Sequence, residues 1–347
     1  MRIQLRPQTP IEFLGKTFGM VPVPLAHTHI FPYISRALNE AVSAGIFEAL
    51  DHGPCTPEEI ASSCKLNAFA LTGLLATLTS LGYLREKQGR FRLSPLSRKW
   101  LLAGSPYSLC DQILFMREVW NWMDALPEFL RTGQGLDYHR NFNARQWELY
   151  QKGMQSIARH SAGEVARKTP LPPKGVLMLD IGGSHGEYSA ALCRRHPSLK
   201  AVILDLPEAV RQSRPLLEAH YSGNQISYTE GDALVYDYGA NKYDLVFLSS
   251  LMHHFTSQQN KSLSEKISVS LKSGGYFVIQ EFIRPPISAG ADIIGSTLSL
   301  FFSLTSNGGT WSGAEISGWQ RAAGLTPLRT HHLLTMPGFA QFIARKD

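Results

Sequence analysis

The feature that most constrains this chain is a change of rhythm after Gly175, where short apolar runs begin to alternate with helical stretches. The runs are VLMLDIG, AVILDL, ISYTEGD, YDLVFLSSL and YFVIQEF. Near-continuous apolar runs of this length suit strands covered on both faces, so the alternation predicts a doubly wound parallel sheet with helices on either side. A helix over 315–323 follows. HHLLTM and FAQFIAR, joined at Pro337-Gly338, are expected to form an antiparallel edge hairpin, which brings the sheet to seven strands.

The upstream half reads differently. Apolar positions recur at helical spacing over 34–50, and Thr56-Pro57-Glu58-Glu59 opens a second helix with an N-cap threonine, an early proline and first-turn acids. A third helix covers 67–81. Tyr83-Leu84-Arg85 and Phe91-Arg92-Leu93, separated by 87–90, then read as a two-stranded wing, and the whole is a winged-helix pattern. A winged helix that reads DNA needs Arg, Lys, Asn or Gln on its recognition helix. The segment AFALTGLLATLTSLG has no basic residue and looks built for burial, so a DNA-binding regulator is disfavoured. Helices over 107–128 and 145–168, rich in Trp, Phe and Met, bridge to TPLPPKG, whose prolines end the second of them. Three parts result: a winged-helix segment 1–105, a helical linker 106–169 that supplies pocket helices, and a Rossmann-like domain 170–347.

With 347 residues, 44% of them hydrophobic and 18% charged, the chain has enough apolar material for two ordinary cores. MRIQLRPQTP lacks the apolar stretch of a signal peptide, and the apolar run over 298–304 is far too short to span a bilayer, so a cytoplasmic location is expected. Cys55, Cys64, Cys110 and Cys193 form no CxxC or Cys/His cluster, which points to buried reduced thiols and to no metal. The net charge of +6 is spread along the chain rather than gathered in a run, so neither nucleic acid nor membrane is expected as a partner.

The first strand runs into Asp180-Ile181-Gly182-Gly183-Ser184-His185-Gly186, with a helix starting near Glu187. Glycines at a strand-to-helix turn let a ligand approach the backbone, and the helix start offers free N–H groups. A turn of this kind also occurs without a ligand; what weighs against that here is Asp205, which closes the second strand where a carboxylate can accept both ribose hydroxyls of a nucleoside. The glycines do not fit the G-x-G-x-x-G of dinucleotide sites. Gly231-Asp232 at the end of the third strand puts a further carboxylate within reach of an adenine amino group.

On these residues the segment from Asp180 to Glu281 resembles the class I methyltransferases, and in particular the O-methyltransferases that include plant caffeate and mammalian hydroxyindole enzymes. The likeness extends to the winged-helix segment, to Lys152-Gly153-Met154, and to Asp205-Leu206-Pro207. It implies S-adenosylmethionine (SAM) as cofactor, a small-molecule acceptor and a homodimer paired through the N-terminal helices. By the same likeness Asp205 binds ribose, Asp232 with Ala233 the adenine side and Gly182 the methionine end, and Asp180, Gly183, Ser184, Gly186, Leu206, Gly231 and Ser249 belong to the same cofactor site. Ser249 stands where plant members often carry a lysine. Tyr150 and Met154 match an aromatic residue and a methionine of the methyl-transfer pocket, to which His254 and Phe302 are also assigned. Ser184 departs from the pattern, since it replaces the middle glycine of the turn and narrows the approach.

Leu251-Met252-His253-His254-Phe255 aligns with the family's L-H-D-W segment, which puts His253 on the catalytic histidine and Glu281, in IQEFIRP, on the carboxylate that orients it. The chemistry agrees: a hydroxyl attacking a sulfonium methyl must lose its proton, and an imidazole of pKa about 6.5 accepts it near neutral pH. His254 replaces the family aspartate, Phe255 the tryptophan, and the second carboxylate expected near Thr310 is missing. The expectation is therefore transfer of a methyl group to a hydroxyl of a small, aromatic metabolite. C- or N-methylation stays open, as does a reaction that keeps the cofactor bound without moving its methyl, because fold alone excludes neither.

Overall fold

The computed structural model describes residues 7–288 and 292–347; residues 1–6, at the opening of the N-terminal segment, and residues 289–291 lie outside the described residues. The chain divides into two compact units after Arg117.

The first unit runs α1 (Pro10–Thr17), a single turn α2 (Val23–Leu25), a π-helical stretch Ala26–Ile30, α3 (Phe31–Ser43), α4 (Ile46–Ala49), α5 (Pro57–Cys64) and α6 (Ala68–Ser80). It continues with β1 (Leu84–Lys87), β2 (Arg90–Leu93) and α7 (Pro95–Trp100). The single helix expected over 34–50 is two helices, because Gly45 takes a left-handed φ of 73° and turns the chain between α3 and α4. Thr56 and Glu59 form a reciprocal capping box at the start of α5. β1 and β2 pair antiparallel, Leu84 opposite Leu93, as the expected wing. Leu71, Leu75 and Leu78 of α6 pack into a core with Ile46, Phe47, Leu50 and Ile60. The opposite face of α6 is open, with Phe69 90% exposed, and α1 exposes Ile11, Phe13 and Leu14. So α6 is buried along one face rather than all round.

In the second unit, reached along α8 (Cys110–Met123), come α9 (Leu126–Thr132), α10 (Tyr138–Asn141) and the 25-residue α11 (Ala144–Lys168). The helix expected over 107–128 is thus α8 and α9, the latter with a proline in its first turn. The Rossmann-like part follows: β3 (Leu177–Ile181), α12 (Glu187–Arg195), β4 (Lys200–Asp205), α13 (Pro207–Glu218), β5 (Ile226–Glu230) and β6 (Tyr243–Ser249). After it come α14 (Ser257–Ser270), β7 (Leu271–Phe282), α15 (Ile293–Thr305), α16 (Gly313–Ala322), β8 (Thr326–His332) and β9 (Phe339–Arg345).

The seven strands lie in the order β5-β4-β3-β6-β7-β9-β8, parallel from β5 to β7 and antiparallel at β9 and β8. Alternate residues of each strand feed opposite faces. Leu245 and Phe247 pack with Ala162, Val165 and Leu192 from α11 and α12, whereas Val246 and Leu248 pack with Leu263, Ile267 and Ile316 from α14 and α16. The register, Ile181 opposite both Leu204 and Leu248, and Ser249 opposite Gln280, brings the C-terminal ends of β3, β4, β6 and β7 to one edge.

Two boundaries differ from expectation. α16 starts before residue 315 because Ser312 caps it and forms a capping box with Glu315. The edge strand is 326–332, and residues 333–336 of HHLLTM leave the ladder: the Glu164 carboxylate of α11 accepts from the Leu334 and Thr335 N–H groups at 2.9 Å and draws them into a turn.

Candidate active site

The site is built on the turn after β3. Gly182 and Gly186 hold positive φ angles of 68° and 72°, and Ser184 holds 49° in the position where a glycine would be free of strain. A Cβ on Gly183 would fall 2.5 Å from the Asp180 carboxyl carbon, so only glycine fits there. Asp180 lies buried beneath the turn and accepts from Ser189 Oγ at 2.6 Å. Burial pushes its carboxyl up to about 7, against the Ser189 hydrogen bond and with help from the nearby Asp205.

Asp205, the last residue of β4, accepts from the Ser184 N–H at 2.9 Å and from the Leu206 N–H at 2.8 Å. Burial outweighs these two bonds and raises its carboxyl to about 6. Asp232, after β5, accepts from the Leu234 N–H at 2.8 Å. The Ser184 hydroxyl donates to Gln151 Oε1 of α11, and Gln151 Nε2 is buried without a hydrogen-bond partner among the described residues, as is Asp180 Oδ1.

These residues border a cavity of about 210 Å³. One wall is Gly182, Ser184, Asp205, Leu206 and Gly231 to Ala233; the other includes His139, Trp147, Tyr150 and His254. Of the residues assigned from sequence, Asp180, Gly183, Gly186, Met154, Phe302, Ser249, His253 and Glu281 lie off the wall. Ser249 is instead the end of a buried polar chain, accepting from Gln280 Nε2 at 3.0 Å, while Gln280 accepts from Gln341 at 3.1 Å. His139, Arg140, Gln151 and Asn307 line the cavity without having been singled out. The signal that could have drawn attention to the first two is the polar pair inside the aromatic segment Tyr138–Phe142, directly before a capped helix.

His253 lies in a one-turn 3-10 helix, Met252–His254, after β6. Its Nδ1 is 2.9 Å from Glu281 Oε1, and both side chains are buried. A carboxylate can only accept, so Glu281 as a carboxylate takes its hydrogen bond from Nδ1–H. Glu281 Oε1 also accepts from the Phe282 N–H at 3.0 Å, which fixes the carboxylate. The His253 carbonyl accepts from Ser306 Oγ at 2.8 Å and the Gly309 N–H at 2.9 Å, and Trp311 Nε1 donates to the Met252 carbonyl at 2.9 Å. Phe302 stacks on the imidazole with centroids 3.7 Å apart. The second buried oxygen of Glu281 and the Thr310 hydroxyl have no hydrogen-bond partner among the described residues.

Two further imidazoles are close by. His254 lies 4.2 Å from His253 and 4.8 Å from His139, centroid to centroid, and His139 stacks on Trp147 at 5.3 Å. Burial, then the charge His253 can carry, lowers His139 to about 3. Burial with His253 and His139 likewise holds His254 well below the usual histidine range. No group of three or more His, Cys, Asp or Glu side chains among the described residues is placed to hold a metal ion, and no helix among them is long and apolar enough to cross a membrane.

Comparison with known proteins fits this geometry. The family model of the O-methyltransferase domain matches residues 125–326, and that of the O-methyltransferase dimerisation domain matches residues 27–103. The chain is similar to the 3-hydroxy-5-methyl-1-naphthoate 3-O-methyltransferase of Streptomyces sahachiroi, 26% identical over 305 residues that cover 85% of this chain and 87% of that protein. It is also similar to the N,N-dimethyltransferase OxyT of Streptomyces rimosus, 24% identical over 263 residues, 73% of this chain and 76% of the other. Among solved structures, human N-acetylserotonin methyltransferase in complex with SAM superposes with a TM-score of 0.80 at 20% identity, covering 98% of each chain.

Proposed function

The chain belongs to the O-methyltransferase family, and from that premise we propose that it methylates a hydroxyl of a small, planar metabolite, with His253 as general base. Its cofactor is SAM, which when bound supplies an electrophilic methyl group on a cationic sulfur. The residues present fit such a group. The Asp205 carboxylate at the end of β4 is held by two backbone N–H groups so that it faces the cavity and can accept the ribose hydroxyls. Asp232 and Ala233 take the adenine side, and the glycine turn with the unpartnered Gln151 Nε2 takes the methionine end.

The single observation that carries the reading is the buried His253–Glu281 pair at 2.9 Å beside this cavity. Glu281 fixes the Nδ1–H tautomer, leaves Nε2 to accept the hydroxyl proton, and stabilises the imidazolium that forms. Such a base contributes about 10²–10⁴-fold, and holding the acceptor in line supplies most of the remaining rate. His254, Tyr150 and Trp147 shape the acceptor end. The dimerisation domain and the exposed apolar side chains of α1 and α6 support a homodimer.

One observation favours a second reading. Phe302 covers the His253 ring and the neighbouring His254, rather than His253, lines the cavity; a carbon or amine nucleophile needs less help from a base, so C- or N-methylation is the alternative. Incubation with methyl-labelled SAM and a panel of naphthols, phenols and aryl amines separates the two. Label on oxygen supports the proposal, and label only on carbon or nitrogen overturns it.

A further inference from the structure

His139 and His254 are a pair of imidazoles to which no carboxylate among the described residues is paired. Both line the cavity, with ring centroids 4.8 Å apart. Stacking on Trp147 fixes the His139 ring, and its Nε2 is buried with no hydrogen-bond partner among the described residues. Every charged group facing the pair is committed elsewhere. Glu281, behind His253, is bonded to that ring. Asp137, beside His139, is paired with Arg140 at 2.9 Å. On the opposite wall Asp205 and Asp232 accept backbone N–H groups. The phenols of Tyr138 and Tyr150, which pack edge-on against the two histidines, are held above their usual range by burial and stay neutral.

We infer that His139 and His254 are the seat for a carboxylate on the acceptor, which makes the acceptor class an aromatic hydroxy acid rather than a neutral phenol. The inference rests on the cavity being the acceptor site, as proposed above, but not on His253 being the base. Burial and then His253 hold His139 low, and burial with His253 and His139 holds His254 low, so both rings are neutral near pH 7. An anion arriving within a few ångströms reverses that balance, so one imidazole takes a proton from solvent as the carboxylate binds, and the pair then holds it through charge-assisted N–H bonds. One added proton neutralises one negative charge, which suits a carboxylate. The hydroxyl to be methylated lies on the same ring, toward His253, which is 4.2 Å beyond His254. Trp147 and Tyr150 supply flat walls for that ring.

The test is calorimetry on the full-length protein saturated with S-adenosylhomocysteine. The probes are 3-hydroxy-2-naphthoate, 3-hydroxybenzoate and 4-hydroxybenzoate, each against its own carboxamide, in phosphate and in Tris at pH 7. At least one acid should bind about tenfold or more tighter than its amide, as a charge-assisted pair of bonds predicts, with uptake approaching one proton. His139→Gln and His254→Gln should each abolish the uptake and bring acid and amide together, while affinity for S-adenosylhomocysteine and the melting temperature stay near wild type. The inference is overturned if no acid outbinds its amide, if an acid does so without proton uptake, or if the preference survives both substitutions. Failure of the methylation reading looks different: the acid preference would be present and dependent on both histidines, yet no methyl group would pass from SAM to the bound acid.

Discussion

A single methyl group at Gly308 should dislodge the candidate base. A Cβ there would fall 2.5 Å from the His253 carbonyl oxygen and closer still to that of Phe255. Both atoms are backbone, so no side chain can swing aside, and the loop over 306–309 must retreat. That retreat removes the two bonds the His253 carbonyl accepts, from Ser306 Oγ and from the Gly309 N–H. Two such bonds contribute about 1 kcal/mol each, and overpacking of a tight site costs about 1–3 kcal/mol, so Gly308→Ala should lose about 3–5 kcal/mol. For a unit of this size the melting temperature falls by about 2–4 °C per kcal/mol. Urea unfolding followed by tryptophan fluorescence reads the loss, and turnover should fall with it because the imidazole moves, while affinity for S-adenosylhomocysteine is kept. Gly318, inside α16 with nothing within 4 Å of its would-be Cβ, is the control. Gly318→Ala should gain about 0.5–1 kcal/mol from helix propensity. If Gly308→Ala unfolds at the wild-type urea concentration and turns over normally, the proposed anchoring of His253 is wrong.

Asp205 gives a pH signature. Burial raises its carboxyl to about 6, so below that pH it is protonated and a poor acceptor for two ribose hydroxyls. Affinity for S-adenosylhomocysteine should rise from pH 5 to pH 7 and then level off, and Asp205→Ala should remove both the rise and most of the ligand-induced gain in melting temperature. In the ligand-free protein the sign is opposite: a native carboxyl that holds its proton above the unfolded value makes stability fall as pH rises from about 4 to 6. Glu164 acts the other way. Burial alone would raise it, but Lys168, the Thr335 hydroxyl and the Leu334 and Thr335 N–H groups hold it at about 2. Its contribution is present above the unfolded value of about 4.3 and is lost as pH falls toward 2. Glu164→Gln should flatten the dependence of the urea midpoint on pH over that interval.

The strands β3, β4, β6 and β7 were legible because each carries a near-continuous apolar run, a pattern that survives whatever the loops do. By contrast β5, ISYTE, showed only by its place in the alternation, and the edge strand β8 lies in the polar TPLRTHH, overlapping HHLLTM only at His331 and His332. Boundaries that depend on one residue's conformation were less so: the break at Gly45 and the turn over 333–336 are set by a left-handed glycine and by a carboxylate from a distant helix. Asp205 drew attention because it closes β4 at the sheet edge where ligands collect, and His253 because the segment over 251–255, after β6, aligns with the family's L-H-D-W segment. His139 was not, since its place beside His254 depends on how α10 packs, and no spacing in the sequence relates the two positions. Ser249 shows the converse. It too closes a strand, yet its hydroxyl turns to Gln280, a partner fixed only by the β6–β7 register.

The most direct test of His253 as the base is the turnover of His253→Ala on an acceptor that the wild-type protein methylates, measured with the affinity for S-adenosylhomocysteine. Loss of about 10²–10⁴-fold in kcat with cofactor affinity little changed, and loss of the rising limb of the pH–rate profile, is the predicted outcome, because the base acts in the transition state rather than in ground-state binding. Near-normal turnover of His253→Ala on that acceptor would contradict the account.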